Sequence, residues 1–379
     1  MAVWTESMRT PAGLAEAAAV SSIAGLGHYL PAAKITNQDL EAIVDTSDAW
    51  ITARTGIHSR RRAGESQATS DLAIEASRAA LADAGIEAGQ VDLILLATAT
   101  PDLPVPASAS YVQQAIGAPN AGAMDINAGC SGFLYGLHTA NAFVRSGQAN
   151  NVLLIGSETL TRVTDYTDRR TCVLFGDGAG ACVISRNGEM DVLYSRVGCD
   201  GSQADLIEIP AGGSRTPASA RTVSEHQHFL RLDGTRVFRE AVRRMVGAAK
   251  EAMTVMNLEA SDLSWVIPHQ ANERILSKVA ELVGVPVPRV VSDIAETGNT
   301  SAASVPIALN RARASGAFEP GQLIMLLAFG AGLTWACQVL RYTGTRVRAL
   351  PDIGFCVDGR AMHTDAKRPN PTSRDDCGD

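Results

Sequence analysis

Apolar positions along the chain follow two rhythms. Continuous hydrophobic runs at Val91–Ala97, Ala123–Ile126, Asn151–Ile155, Leu263–Ile267 and Gln322–Leu327 predict strands covered on both faces. Between them, apolar residues recur at helical spacing. Phe133, Leu137, Ala140 and Val144 form one such stripe; Ile275, Val279 and Leu282 form another. A third, over about 235–250, buries Phe238, Ala241, Val242 and Met245 and leaves Arg236, Arg239 and Arg243 on a different face. Alternating strands and amphipathic helices predict an α/β fold with sheets buried on both sides.

The pattern repeats itself. Leu263–Ile267 echoes Val91–Ala97, and Gln322–Leu327 echoes Asn151–Ile155. The run Val290-Val-Ser-Asp-Ile294, followed by Asn299, echoes the strand Ala123–Ile126 followed by Cys130. Each echo lies about 170 residues downstream. Two similar α/β halves, residues 18–190 and 191–342, are the simplest arrangement. Residues 1–17 read as a weakly ordered extension and 343–379 as a disordered tail ending in polar residues and prolines.

Composition narrows the class. The 379 residues are 46% hydrophobic and 19% charged, as in ordinary globular proteins. A net charge of −7 argues against general nucleic-acid binding. Seven widely spaced cysteines without a CxxC pair predict reduced thiols in a cytoplasmic protein, with neither a disulfide framework nor a metal site. The alanine-rich N-terminus, broken by Glu16, makes a poor signal peptide, and no apolar run predicts a membrane span.

Candidate chemistry sits where strands end. Cys130 follows the run Asp125-Ile-Asn-Ala-Gly-Cys130 and precedes a helix, whose unpaired N–H groups favour thiolate over thiol. Gly129 and Gly132 leave the sulfur uncrowded. Pro268 ends a strand, His269 sits in the turn, and Asn272 is placed to cap the next helix. Gly298 allows a tight turn before Asn299. Pseudo-twofold symmetry would bring Cys130 and Asn299 to one centre. Other features read as structural. Gly25-Leu-Gly27 lacks the third glycine of a dinucleotide fingerprint. Gly176-Asp-Gly-Ala-Gly180 reads as close packing, and Arg60, Arg61 and Arg62 read as a solvated turn.

Ordered motifs carry a specific resemblance. They include Gly25-Leu-Gly-His-Tyr-Leu-Pro31, Asp45-Thr-Ser-Asp-Ala-Trp-Ile51, Arg54-Thr-Gly-Ile57, Thr167-Asp-Arg169 and Phe175-Gly-Asp-Gly-Ala-Gly-Ala181. Pro268-His-Gln-Ala-Asn272, Gly298-Asn-Thr-Ser-Ala-Ala-Ser304 and Phe329-Gly-Ala-Gly-Leu-Thr-Trp335 continue it. From about Ile23 to Tyr342 the chain resembles the β-ketoacyl-acyl carrier protein synthase III family of thiolase-fold condensing enzymes.

The resemblance implies two pseudo-duplicated halves in a five-layered α-β-α-β-α thiolase fold and a Cys130, His269, Asn299 triad. It implies an oxyanion hole from the backbone N–H groups of Cys130 and Ala331. It places a CoA nucleotide at Trp50, Arg54 and Arg169, an acyl pocket at Val105 and Phe238, and carrier-protein contacts at Arg239 and Arg274. The implied reaction is decarboxylative condensation of an acyl-CoA with malonyl-acyl carrier protein by a homodimer, with CoA entering as substrate and no further cofactor. Valine at 105 hints at starters larger than acetyl. The rival readings are a priming ketosynthase or acyltransferase of secondary metabolism and a catalytically inert partner subunit; Cys130 argues against the last.

Overall fold

The computed structural model describes residues 20–344. The extension expected at 1–17, and all of the expected tail except Thr343 and Gly344, lie outside these residues.

The first part of the chain supplies strands β1 (Ser22–Tyr29), β2 (Ala33–Thr36), β3 (Ser59–Arg62), β4 (Leu93–Ala97), β5 (Gly122–Ile126), β6 (Val152–Thr159) and β7 (Asp177–Ser185). Its helices are α1 (Asn37–Glu41), α2 (Asp48–Thr55), α3 (Thr69–Ala84), α4 (Ser108–Ile116) and α5 (Gly132–Ser146). The second part supplies β8 (Met190–Cys199), β9 (Ile207–Glu208), β10 (Arg231–Leu232), β11 (Leu263–Pro268), β12 (Leu323–Gly330) and β13 (Thr334–Tyr342). Its helices are α6 (Ala220–Ser224), α7 (Gly234–Met256), α8 (Glu273–Val283), α9 (Ile294–Thr297) and α10 (Ser304–Ala314).

Strand order makes the repetition visible. The large sheet runs β11-β12-β13-β8-β1-β7-β6-β4-β5. Outward from the centre, β1-β7-β6-β4 and β8-β13-β12-β11 follow the same sequence of two antiparallel pairings and one parallel pairing. Among the described residues, the two series pair through Ser22↔Asp191 and Ile23↔Met190.

Side-chain alternation gives each series two buried faces. On one face of the first, Ile94, Leu96, Leu153 and Ile155 pack against Leu72, Ala76 and Ala80 of α3 and Val112 of α4. On one face of the second, Val266, Met325, Leu327 and Val339 pack against Met245 and Ala249 of α7 and Ile275 and Val279 of α8. The remaining faces share a central cluster. Leu95 and Leu154 meet Phe133, Leu134 and Leu137 of α5 and Val305 and Leu309 of α10, which in turn meet Ile267, Leu326 and Leu340. Helices outside, sheet, helices within, sheet, helices outside: five layers, as the thiolase resemblance implies. α7 is longer than the expected 235–250. Leu282 on α8 is exposed, its place in the buried stripe taken by Val283.

Two expectations fail. Residues 290–294 are not a strand. Val290 forms one parallel bridge to Val266, where β5 pairs with β4 in the other series, and Ile294 already begins α9. Pro286 and Pro288 remove two backbone donors just upstream, and the chain turns through a short 3-10 segment at Val287–Arg289. Nor is the arginine run a solvated turn. Ser59–Arg62 is β3, paired with β2, and Arg60 is only 1% exposed. Its guanidinium donates to Asn37 Oδ1 (2.7 Å) and to the carbonyl oxygens of Val173 (2.5 Å) and Ile35 (3.4 Å). Burial lowers its pKa to about 10.

Arg60→Met should therefore cost about 3 kcal/mol, because it strands two buried acceptors. Urea unfolding of both proteins measures the loss.

Candidate active site

Four chain segments meet at the inner ends of the central helices. Cys130 lies in a 3-10 turn, Gly129–Ser131, directly before α5. His269 follows β11; its N–H donates to the Leu327 carbonyl at 2.7 Å. Asn299 follows α9 and is fixed to the strand-like segment at Phe175. Its N–H donates to Leu174 O (2.9 Å), and its carbonyl accepts from Gly176 N (3.1 Å). Ala331 follows β12.

Glycines set one contact that larger residues would break. A Cβ on Gly330 would lie 2.5 Å from Cys130 N, and one on Gly129, with φ +53°, would lie 2.7 Å from Ala331 N. The two turns therefore touch backbone to backbone. Cys130, His269, Asn299 and Ala331 all line one cavity of about 180 Å³. The rest of the wall is largely apolar, with Leu160, Phe175, Ile209, Leu230, Phe238 and Met245 among its members.

Hydrogen bonds orient the polar groups. Asn299 Oδ1 accepts from Ser301 N at 2.8 Å, so its Nδ2 is the atom offering hydrogens. His269 Nδ1 lies 2.7 Å from Ser304 Oγ, at the first residue of α10. When that hydroxyl donates to Nδ1, the ring hydrogen sits on Nε2. Sequence reasoning missed Ser304, although it lies within the motif containing Asn299.

Electrostatics correct the expected resting thiolate. Burial pushes the Cys130 thiol up to about 12, and nearby Glu158 adds to the rise, while hydrogen bonds from Ser301 and Cys130's own N–H oppose it. Desolvation outweighs the helix terminus. Burial also pushes His269 down to about 3, so its imidazole is neutral.

A second, open cavity of about 1000 Å³ is lined by Trp50, Arg54, Arg169, Arg170, Arg231 and Arg274. It shares Leu174, Leu232, Gly234, Phe238 and Asn272 with the inner cavity, so the two form one passage. Arg54 and Arg169 lie 4.8 and 5.0 Å from the Trp50 ring centroid. Arg169 also donates to the Asp45 carbonyl at 2.6 Å. Asn272 caps α8, as expected, by accepting from Arg274 N at 2.9 Å. Arg231 was missed because nothing near it in sequence points to the passage.

Arg274 sits at the mouth, 5.7 Å from the Phe238 ring centroid. Arg239 is exposed on α7 and lines neither cavity. Of the arginines expected on the polar face of α7, Arg243 pairs with Glu240, and on α8 Lys278 pairs with Glu281. Phe238 lines the passage, whereas Val105 is 82% exposed and lies away from the cavity within this chain.

Residues 124–201 match the family described as 3-oxoacyl-[acyl-carrier-protein (ACP)] synthase III, and residues 253–342 match its C-terminal family. A beta-ketoacyl-[acyl-carrier-protein] synthase III of Rhodospirillum rubrum is 50% identical over 328 residues, covering 85% of this chain and 99% of that protein. The crystal structure of the Aquifex aeolicus 3-oxoacyl-[acyl-carrier-protein] synthase III is 43% identical with a TM-score of 0.78, covering 85% of this chain and all of the other. The priming beta-ketosynthase of the R1128 polyketide pathway is 36% identical with a TM-score of 0.78, covering 85% and 96%.

His269 links the site to stability. Its folded pKa is depressed, so between about 3 and the ordinary imidazole value of 6.5 the unfolded chain binds a proton that the folded chain refuses. Stability is lost as pH falls through that window. His269→Gln should flatten the acid limb of Tm against pH between 4 and 6.5, as thermal melts would show.

Proposed function

The chain belongs to the 3-oxoacyl-[acyl-carrier-protein] synthase III family, and on that premise we propose how its residues carry out the family's condensation. The enzyme is an acyltransferase that joins an acyl-CoA starter to malonyl-acyl carrier protein, giving 3-oxoacyl-acyl carrier protein, CO2 and CoA. One observation carries the assignment of roles: Cys130, His269, Asn299 and Ala331 line the same apolar cavity.

The starter enters past Trp50, Arg54 and Arg169, which take the CoA nucleotide by stacking and charge. Cys130 attacks the thioester carbonyl through its sulfur, and its proton passes to the departing CoA sulfur. The carbonyl oxygen, now negative, sits against the N–H groups of Cys130 and Ala331. The carbon–sulfur bond to CoA breaks, and the CoA sulfur leaves with the proton that Cys130 gave up.

Malonyl-carrier then takes the passage. Its carbon–carboxylate bond breaks, CO2 departs, and the electron pair forms an enolate on the malonyl thioester. His269 Nε2–H and Asn299 Nδ2 donate to the enolate oxygen. The carbon attacks the acyl-Cys130 carbonyl, and the Cys130 sulfur is released. Decarboxylation generates the carbon nucleophile, so this chemistry calls for no further cofactor. The presence of both enolate donors favours carbon–carbon bond formation over transfer to a hydroxyl or amine.

The acidic carrier docks beside Arg274, with Arg239 exposed on the adjoining helix face. The enzyme works as a homodimer. Supporting this, β5 is an edge strand with exposed Met124, and Leu103, Val105 and Tyr111 are exposed large hydrophobic residues too. Val105 would then reach a neighbouring subunit's acyl pocket. No helix among the described residues is long and apolar enough to cross a membrane.

Two experiments test these roles. His269→Ala and Asn299→Ala should each slow malonyl decarboxylation by about 10²–10³, the worth of one such donor; undiminished CO2 release from both would overturn the assignment. Arg274→Glu should slow condensation with malonyl-carrier, and less so as salt rises, while acylation of Cys130 proceeds. Intact mass follows the first half-reaction and product release the second.

A further inference from the structure

Directly after His269 comes a buried amide that the condensation does not touch. Gln270 is only 1% exposed. His269, Ala271 and Asn272 line the inner cavity, whereas Gln270 between them does not. Its side chain turns instead to the segment that leads to Asn299. Nε2 donates to the Pro268 carbonyl at 2.7 Å and to the Val291 carbonyl at 3.1 Å, and Oε1 accepts from Asp293 N at 2.7 Å. Two carbonyls and one N–H face the group, so its nitrogen and oxygen have a single satisfying orientation.

The amide stands where a strand pairing stops. In the first series β4 and β5 pair from Leu93↔Gly122 to Ala97↔Ile126. In the second, β11 and the segment after Arg289 share the bridge Val266↔Val290, with Val291 N donating to Val266 O at 3.0 Å. Beyond that bridge the Gln270 amide joins the same two segments, donating to carbonyls and accepting an N–H as a peptide group does in a ladder. Asp293 is the residue before α9, and Asn299 follows α9. The Gln270 N–H also donates, at 3.4 Å, to Ser304 Oγ, the hydroxyl that lies 2.7 Å from His269 Nδ1. With that N–H on its oxygen, Ser304 has its hydrogen free for the imidazole.

We infer that Gln270 is a positioning residue for malonyl decarboxylation: its side-chain amide sets the separation of the two enolate donors, His269 on the turn it closes and Asn299 beyond the segment it holds. This rests on the roles proposed for His269 and Asn299. The two donors have different anchors. Asn299 is bonded to Leu174 and Gly176, and His269 N–H to the Leu327 carbonyl. Gln270 ties the chain around one donor to the chain leading to the other. The enolate oxygen needs both donors within hydrogen-bond reach at once, and a misplacement of about 1 Å costs about 10² in rate. Cys130 and Ala331 are brought together by Gly129 and Gly330 instead, so attack on the starter does not depend on Gln270.

Gln270→Met keeps the side-chain volume and removes all three bonds. The two half-reactions are read separately, with whichever of acetyl-, butyryl- and octanoyl-CoA the wild type takes fastest. Intact mass follows acylation of Cys130, and CO2 release from malonyl-carrier follows decarboxylation. In Gln270→Met, CO2 release should slow by about tenfold or more through kcat, with KM for malonyl-carrier unchanged and acylation at the wild-type rate. An equal loss in both half-reactions would reduce Gln270 to packing and overturn the inference, and so would undiminished CO2 release. If Gln270→Met fails to fold, Gln270→Asn retains the amide on a stem too short to span the two segments. The same split is expected there, and its absence overturns the inference equally. A wild-type enzyme that acylates Cys130 yet releases no CO2 from malonyl-carrier would instead remove the roles of His269 and Asn299, and the functional reading with them.

Discussion

Two helices sealed between two sheets govern this molecule. α5 and α10 are buried along most of their length, so Phe133, Leu137, Val305 and Leu309 meet strands from both series. Each series must then be apolar on both sides, which accounts for the unbroken hydrophobic runs. The same burial brings the starts of both helices together in the interior. Cys130 lies just before one, and Asn299 and Ser304 lie at the approach to the other. The site is thus a product of the core rather than an addition to it.

That origin sets the site's electrostatics. A buried thiol pushed up, a buried imidazole pushed down and a buried carboxyl pushed up all resist charge. The resting cavity is close to neutral. In the proposed mechanism, fixed N–H groups and amide hydrogens meet the negative charge that develops there, with no reorganisation required. The cationic groups stand outside, at the mouth, where water screens them.

Strand positions, the Asn272 cap, the central stripe of α5 and the residues around the cavity were legible in the sequence because they depend on local pattern and on motif. What escaped it depends on partners far along the chain. Arg60 looked solvated because its acceptors, Asn37 and Val173, lie on other elements. Ser304, Glu158 and Arg231 carry no local mark of their surroundings. The resting state of Cys130 was misjudged because a helix terminus can be read from sequence, whereas the depth at which it is buried cannot. The expected strand at 290–294 gave way to two prolines whose effect a hydrophobic count ignores.

The neck between the two cavities, formed by Leu174, Leu232, Gly234, Phe238 and Asn272, has a consequence for traffic. Any group that reaches Cys130 from the open cavity passes these same five residues. Two thioester carriers using that neck must take turns, so the first has to withdraw before the second arrives. A double-displacement order of events is what a single shared route to Cys130 would impose.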